Sequence, residues 1–196
     1  QLELGDSHNA GFTENNDIVM WGNSRDNQIG SYNVYDFYRP YLRLNTDETY
    51  EQIFLGANHT AIQTNQRLFM WGGNESGQLG IDNTYNQYRP QVIPVDVSSI
   101  DKVQLGSSVS FITTNDGQLL ASGSVSDGRI ITEATTDLHT FTNVTLNYVK
   151  EGWNAESLFT LGQTSLNAHG LMLSNDDIIA WGSNEYHQLA SSNNLI

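Results

Sequence analysis

Apolar residues occur along the chain in short runs, each framed by clusters of Asn, Asp and Gly, and the runs return at a spacing of about fifty residues. Runs this short are strands rather than helices, and their separators supply turn geometry. Four segments align as a polar turn entering an apolar strand: TENNDIVMWG, TNQRLFMWG, TNDGQLLASG and SNDDIIAWG. Within them Ile18, Leu68, Leu119 and Ile178 each lie three residues before Trp21, Trp71, Ser122 and Trp181. Gln28, Gln78, Arg129 and Gln188 follow seven residues after that position. In the first two units an Arg-Pro pair, Arg39-Pro40 and Arg89-Pro90, comes next, with 19 residues from tryptophan to proline. Upstream, LGDSHNA and LGANHTA place His8 and His59 three residues after Gly5 and Gly56. Unit three keeps Gly106 but has Val109 for the histidine, and unit four keeps His169 but has Leu166 for the glycine.

This pattern predicts small antiparallel sheets and an all-β fold. Asn115-Asp116-Gly117 reads as a hairpin turn, since Asn and Gly tolerate the positive φ of tight hairpins. The glycines after the tryptophan position, Gly22, Gly72, Gly123 and Gly182, predict a bend or close backbone approach where neighbouring sheets meet. One such sheet cannot bury both faces alone, so the units must stack around an axis or along an arc. The expected organisation is a single segment, 1–196, with units near 1–49, 50–98, 99–148 (degenerate) and 149–196 (incomplete).

Composition narrows the function. The chain has 196 residues and 20 Phe, Trp and Tyr side chains, enough for a packed core. With no cysteine, disulfides and thiolate metal sites are excluded. A formal charge of −14, spread over the whole chain, argues against nucleic acid and anionic membrane and leaves a basic protein surface open. No apolar run is long enough for a membrane span and no leader pattern opens the chain, so a mature or internal segment is expected; the compartment stays open. There is no G-x-S-x-G, no H-E-x-x-H and no phosphate-binding glycine loop. No catalytic residue, cofactor or metal site is therefore expected.

The combination G-x-x-H, a hairpin, W-G-x-N-x-x-G-Q-L-G and then R-P resembles the repeat of the regulator of chromosome condensation family. LGANHTAIQTNQRLFMWGGNESGQLG followed by YRPQVIPV is the best match, and Gly80 closes its loop. The resemblance covers nearly all of the chain and is weakest over 124–168. It implies a β-propeller of seven blades, of which about four are present. The chain would then be part of a longer one, an open arc or short ring completed by other subunits, or a self-closed four-bladed ring; the first is the expectation. The family's tryptophan-based ultraviolet photoreceptor uses G-W-R-H-T, where this chain reads GDSHN and GANHT, so that function is not supported.

The repeat landmarks Gly5, His8, Trp21, Gly22, Gly56, His59, Trp71, Gly72, Gly80, His169, Trp181 and Gly182 are read as structural, the histidines holding their blades by hydrogen bonds. Candidate protein-binding residues are loop aromatics: Tyr32 and Phe37, which have no counterpart in unit two, Trp153, which lies outside the repeat pattern, and the aligned pair Tyr35 and Tyr85, for which a structural role is the alternative. The functional expectation is a non-enzymatic protein-interaction scaffold. As alternatives, the resemblance implies nucleotide exchange on a small GTPase such as Ran, or inhibition of an enzyme.

Overall fold

The computed structural model describes residues 1–31, 38–42, 47–130, 132–144, 155–160, 168–173 and 178–182, and they form four antiparallel sheets. The first sheet runs β1 (Leu2–Leu4), β2 (His8–Phe12), β3 (Ile18–Gly22) and β4 (Tyr38–Leu42). The second runs β5 (Tyr50–Leu55), β6 (His59–Thr64), β7 (Leu68–Gly72) and β8 (Gln87–Ile93). The third holds β9 (Ile100–Leu105), β10 (Val109–Thr114), β11 (Leu119–Gly123) and β12 (Leu138–Asn143). The fourth shows β13 (Ala155–Thr160), β14 (Ala168–Leu173) and β15 (Ile178–Gly182). Spatial order follows chain order within every sheet. β5 lies against β1 and β2, β9 against β5, and β13 against β9 and β10, so the sheets are joined along their first strands.

Each seam between sheets is its own core. In the first, Ala10, Ile18, Met20 and Ile29 face Ile53, Leu55, Ile62, Phe69 and Trp71. In the second, Ala61, Leu68, Met70 and Leu79 face Val103, Leu105 and Ile112. The third gathers Val109, Phe111, Leu119, Ala121 and Ile130 around Trp181. Because side chains alternate across a strand, Trp71 and Phe69 serve one seam while Met70 and Leu68 serve the next. That is why the run LFMWG is apolar throughout: all five residues of β7 are buried, two-faced burial replacing the alternation of a half-exposed strand.

Local backbone explains two landmarks. Gly72 has φ +104°, and a Cβ there would stand 2.6 Å from the Asn58 carbonyl oxygen and 2.8 Å from the His59 Cα. The close approach is thus within the sheet first, with the neighbouring sheet's Gln28 Cα next at 3.2 Å. The tight fit lets the amide of Gly73 reach the Asn58 carbonyl at 2.8 Å. Gly72→Ala combines positive-φ strain with a backbone clash and is expected to cost about 1–3 kcal/mol, read from the urea midpoint; an unchanged midpoint would refute the account. The Arg-Pro pair falls in a bulge: opposite β7 the register slips between Met70 and Gly72, where Tyr88, Arg89 and Pro90 face a single residue. A proline has no N–H to give, and an outer strand with a bulge is where one is tolerated.

Candidate interaction surface

The repeat landmarks meet at the seams. His8 Nε2 lies 2.8 Å from Thr60 Oγ1 in the next sheet. The Thr60 hydroxyl donates to the Gln28 carbonyl at 2.9 Å, and the indole Nε1 of Trp71 donates to the same carbonyl at 3.0 Å. Since the hydroxyl's one proton goes to that carbonyl, Thr60 accepts from His8, which must carry its own proton on Nε2. One seam on, His59 Nε2 lies 2.9 Å from Ser110 Oγ, and Ser110 donates to the Gln78 carbonyl at 2.7 Å. Ser122 donates to the same carbonyl at 3.0 Å. At the third seam Trp181 Nε1 donates to the Arg129 carbonyl at 3.1 Å.

Each imidazole thus bridges to the following sheet, and His59 also touches its own hairpin, with Nδ1 3.3 Å from Asn58 Oδ1. Burial lowers the His8 pKa to about 4. Burial, helped by the nearby His8, lowers that of His59 to about 3. Both rings are neutral at physiological pH.

Two hydroxyls that complete these bridges, Thr60 and Ser110, are absent from the landmarks read in the sequence. The signal was present: each directly follows the histidine position of its unit. Unit three looks degenerate because Ser122 replaces tryptophan, yet a serine hydroxyl makes the same bond and gives up only bulk. In unit four the register pairs Ala168 with Gly182 and His169 with Trp181. In unit two His59 pairs with Gly72 and Thr60 with Trp71. His169 therefore occupies the register position of Thr60, not that of His59, because the β14–β15 hairpin is one residue longer.

Gly80 (φ +68°) ends a loop that docks on the next sheet: a Cβ on it would meet the Phe141 ring at 2.5 Å. Just beyond, the Asp82 amide donates to the His139 carbonyl at 2.9 Å. Tyr85 follows in the same loop and is 76% exposed. Its backbone is pinned: its amide donates to Asn83 Oδ1, and its carbonyl accepts from Gln87 Nε2 and Asn74 Nδ2. A held backbone carrying a free ring is a low-entropy way to present an aromatic group. Val92 is exposed on β8, and the Arg89 guanidinium lies 5.2 Å over the Tyr88 ring. Tyr32, Tyr35, Phe37 and Trp153 lie outside the described residues.

On the loops between sheets one and two, partial burial and the neighbouring Glu75 raise the Asp26 carboxyl, against a hydrogen bond from Asn58 and the charge of Arg25. Among the described residues no three His, Asp or Glu side chains are grouped to hold a metal, and no helix is long and apolar enough to cross a membrane.

No curated protein matches the chain. The Regulator of chromosome condensation (RCC1) repeat matches residues 65–112, which run from the β6–β7 turn to β10 and so straddle two sheets. Among solved structures, yeast RCC1 (Prp20) bound to Kap60 is similar with TM-score 0.80 and 21% identity, over 99% of this chain and 46% of that one. Prp20p from Saccharomyces cerevisiae, described for its binding properties to Gsp1p and histones, gives TM-score 0.75 and 22% identity over 93% and 44%. Human WBSCR16 gives TM-score 0.73 and 16% identity over 93% and 46%. The chain spans less than half the length of these three structures. In sequence over residues 65–112, and in fold over nearly its whole length, the chain matches the RCC1 repeat family.

Proposed function

We propose that this chain is an arc of an RCC1-type propeller that works as a non-enzymatic protein-binding regulator, with a small GTPase as its partner. The observation that carries the reading is the similarity to Prp20p, a protein described as binding Gsp1p. The seams add to it: polar residues at the repeat positions are spent on joining sheets, which leaves loops such as that of Tyr85 to make contacts. The reading favours nucleotide exchange over a passive scaffold, because an exchange regulator needs only a rigid surface that binds the GTPase better without nucleotide than with it.

The test is release of a fluorescent guanine nucleotide from a Ran-type GTPase with and without the chain. Faster release supports the reading, and neither acceleration nor binding sinks it. If the Tyr85 loop belongs to the contact, Tyr85→Ala is expected to weaken binding by about 5- to 30-fold, the size of an aromatic anchor. Titration calorimetry reads that change, and an unaltered affinity would remove the loop from the interface.

The −14 charge supports a basic face on the partner. Affinity should then fall as salt rises toward a Debye length of about 8 Å at physiological ionic strength.

A further inference from the structure

His59 belongs to a polar chain that crosses three sheets. Asp26, on the loop after β3 of the first sheet, is hydrogen-bonded by Asn58 and lies 3.5 Å from Asn86 Nδ2. Asn58 Oδ1 lies 3.3 Å from His59 Nδ1, and His59 Nε2 lies 2.9 Å from Ser110 Oγ in the third sheet. Two glycines close over the middle of the chain. A Cβ at Gly73 would stand 2.5 Å from Asn58 Nδ2, and one at Gly56 would stand 2.9 Å from His59 Nδ1. Unit one lacks this link: Ser7 takes the place of Asn58 and donates to the Ala57 carbonyl at 2.9 Å, and His8 Nδ1 has no partner among the described residues.

Counting protons leaves one contact mismatched. Ser110 and Ser122 both reach the Gln78 carbonyl, at 2.7 and 3.0 Å. When Ser110 spends its one proton there, His59 presents Nε2–H to Ser110 and turns an unprotonated Nδ1 toward the Asn58 carbonyl oxygen. Two acceptors make no bond, so the chain has two consistent forms. In the first, Asp26 is ionised and accepts from Asn58 Nδ2, while His59 Nδ1–H donates to Asn58 Oδ1. Ser110 then donates to His59 Nε2, and Ser122 alone serves Gln78. In the second, Asp26 carries a proton and donates it to Asn58 Oδ1, and the turned amide donates to His59 Nδ1. Nε2–H then donates to Ser110, which serves Gln78. Turning the amide exchanges its oxygen and nitrogen within one envelope, so the close packing of Gly73 does not forbid it.

We propose that Asp26 is a switch: its ionisation selects, through Asn58, which nitrogen of His59 carries the proton, and with it the direction of the hydrogen bonds between sheets two and three. Burial and the neighbouring Glu75 raise the Asp26 carboxyl against Asn58 and Arg25, which moves the changeover above the ordinary carboxylate range. His8 is the titrating group that bears on the ring itself, and burial keeps both rings neutral while Asp26 titrates. A cationic group brought to Asp26 favours the ionised form and the Nδ1–H ring with it.

The test is ring-nitrogen NMR on the intact chain with 15N-labelled histidine, His59→Gln assigning the signal. At pH 7.5 His59 is expected to carry its proton on Nδ1 and His8 on Nε2. Asp26→Ala removes a half-exposed carboxyl and is expected to move the His59 proton to Nε2 at the same pH, with His8 unchanged. Lowering the pH of the wild type moves His59 the same way, with the midpoint following the Asp26 carboxyl carbon shift. The same nitrogen protonated in wild type and Asp26→Ala at pH 7.5 overturns the proposal, as does a wild-type ring that stays unchanged while Asp26 titrates.

Discussion

Trp71→Ala is expected to lower the unfolding free energy by about 3–5 kcal/mol, the range for removing a fully buried large aromatic side chain. Trp71 is wholly buried among residues of two sheets, so its removal opens a cavity at a seam and not inside one sheet. It also withdraws one of the two donors to the Gln28 carbonyl, leaving Thr60 as the other. Trp71→Phe separates these effects: most of the volume stays and the donor goes, for roughly 1–2 kcal/mol. Trp21→Ala is the internal control, because Trp21 has the same place in the repeat but is only partly buried. Urea titration of dilute protein, below any self-association, should rank Trp71→Ala well above Trp21→Ala. Equal costs would show that the seams do not hold the sheets together and would remove the basis for reading this array as mutually supporting units.

The contrast between those two tryptophans also marks what the sequence could reveal. Strands, turns and the two-faced apolar runs follow from local spacing, since LFMWG between turn residues has few other solutions. The offsets between tryptophan, glutamine and Arg-Pro were legible because each recurs. Their purpose was not, because it lies in pairings between units. The Gln28 backbone carbonyl, not its side chain, is the acceptor, and a backbone group leaves no trace in a sequence. Ser122 illustrates the same limit, since an aligned serine reads as decay until its hydroxyl is seen on the Gln78 carbonyl. His169 fails in the other direction: counting back to tryptophan makes it equivalent to His59, while a longer hairpin moves it one register position. Of the candidate binding residues, Tyr85 is legible in the sequence only as a loop aromatic, and its pinned backbone depends on Asn74 and Asn83. Those asparagines are unremarkable in an Asn-rich chain.

Acidification is expected to destabilise the fold steeply, and the two seam histidines set the window. In the unfolded chain a histidine titrates near 6.5. In the folded chain His8 resists protonation to about 4 and His59 to about 3. Above pH 6.5 both states are neutral at these positions and the full stability is present. Below it the unfolded chain takes up protons that the folded chain refuses, so each histidine costs up to about 1.4 kcal/mol per pH unit. The loss from His8 levels off near pH 4 and that from His59 near pH 3. Between pH 6.5 and 4.5 the pair together accounts for a loss on the order of 5 kcal/mol, comparable to the whole stability of many domains. Protonating the rings would also place charge at the seams, where a proton on one imidazole disfavours a proton on the other. His59→Gln keeps a donor toward Ser110 and cannot titrate. It should therefore be less stable than the wild type at pH 7.5 but lose less stability per pH unit below 6.5, the slopes differing by about 1.4 kcal/mol. Urea titrations at half-unit intervals measure both slopes. If wild type and variant share one acid slope, the imidazole does not refuse the proton, and the neutral His59–Ser110–Gln78 bridge is not what the folded chain contains.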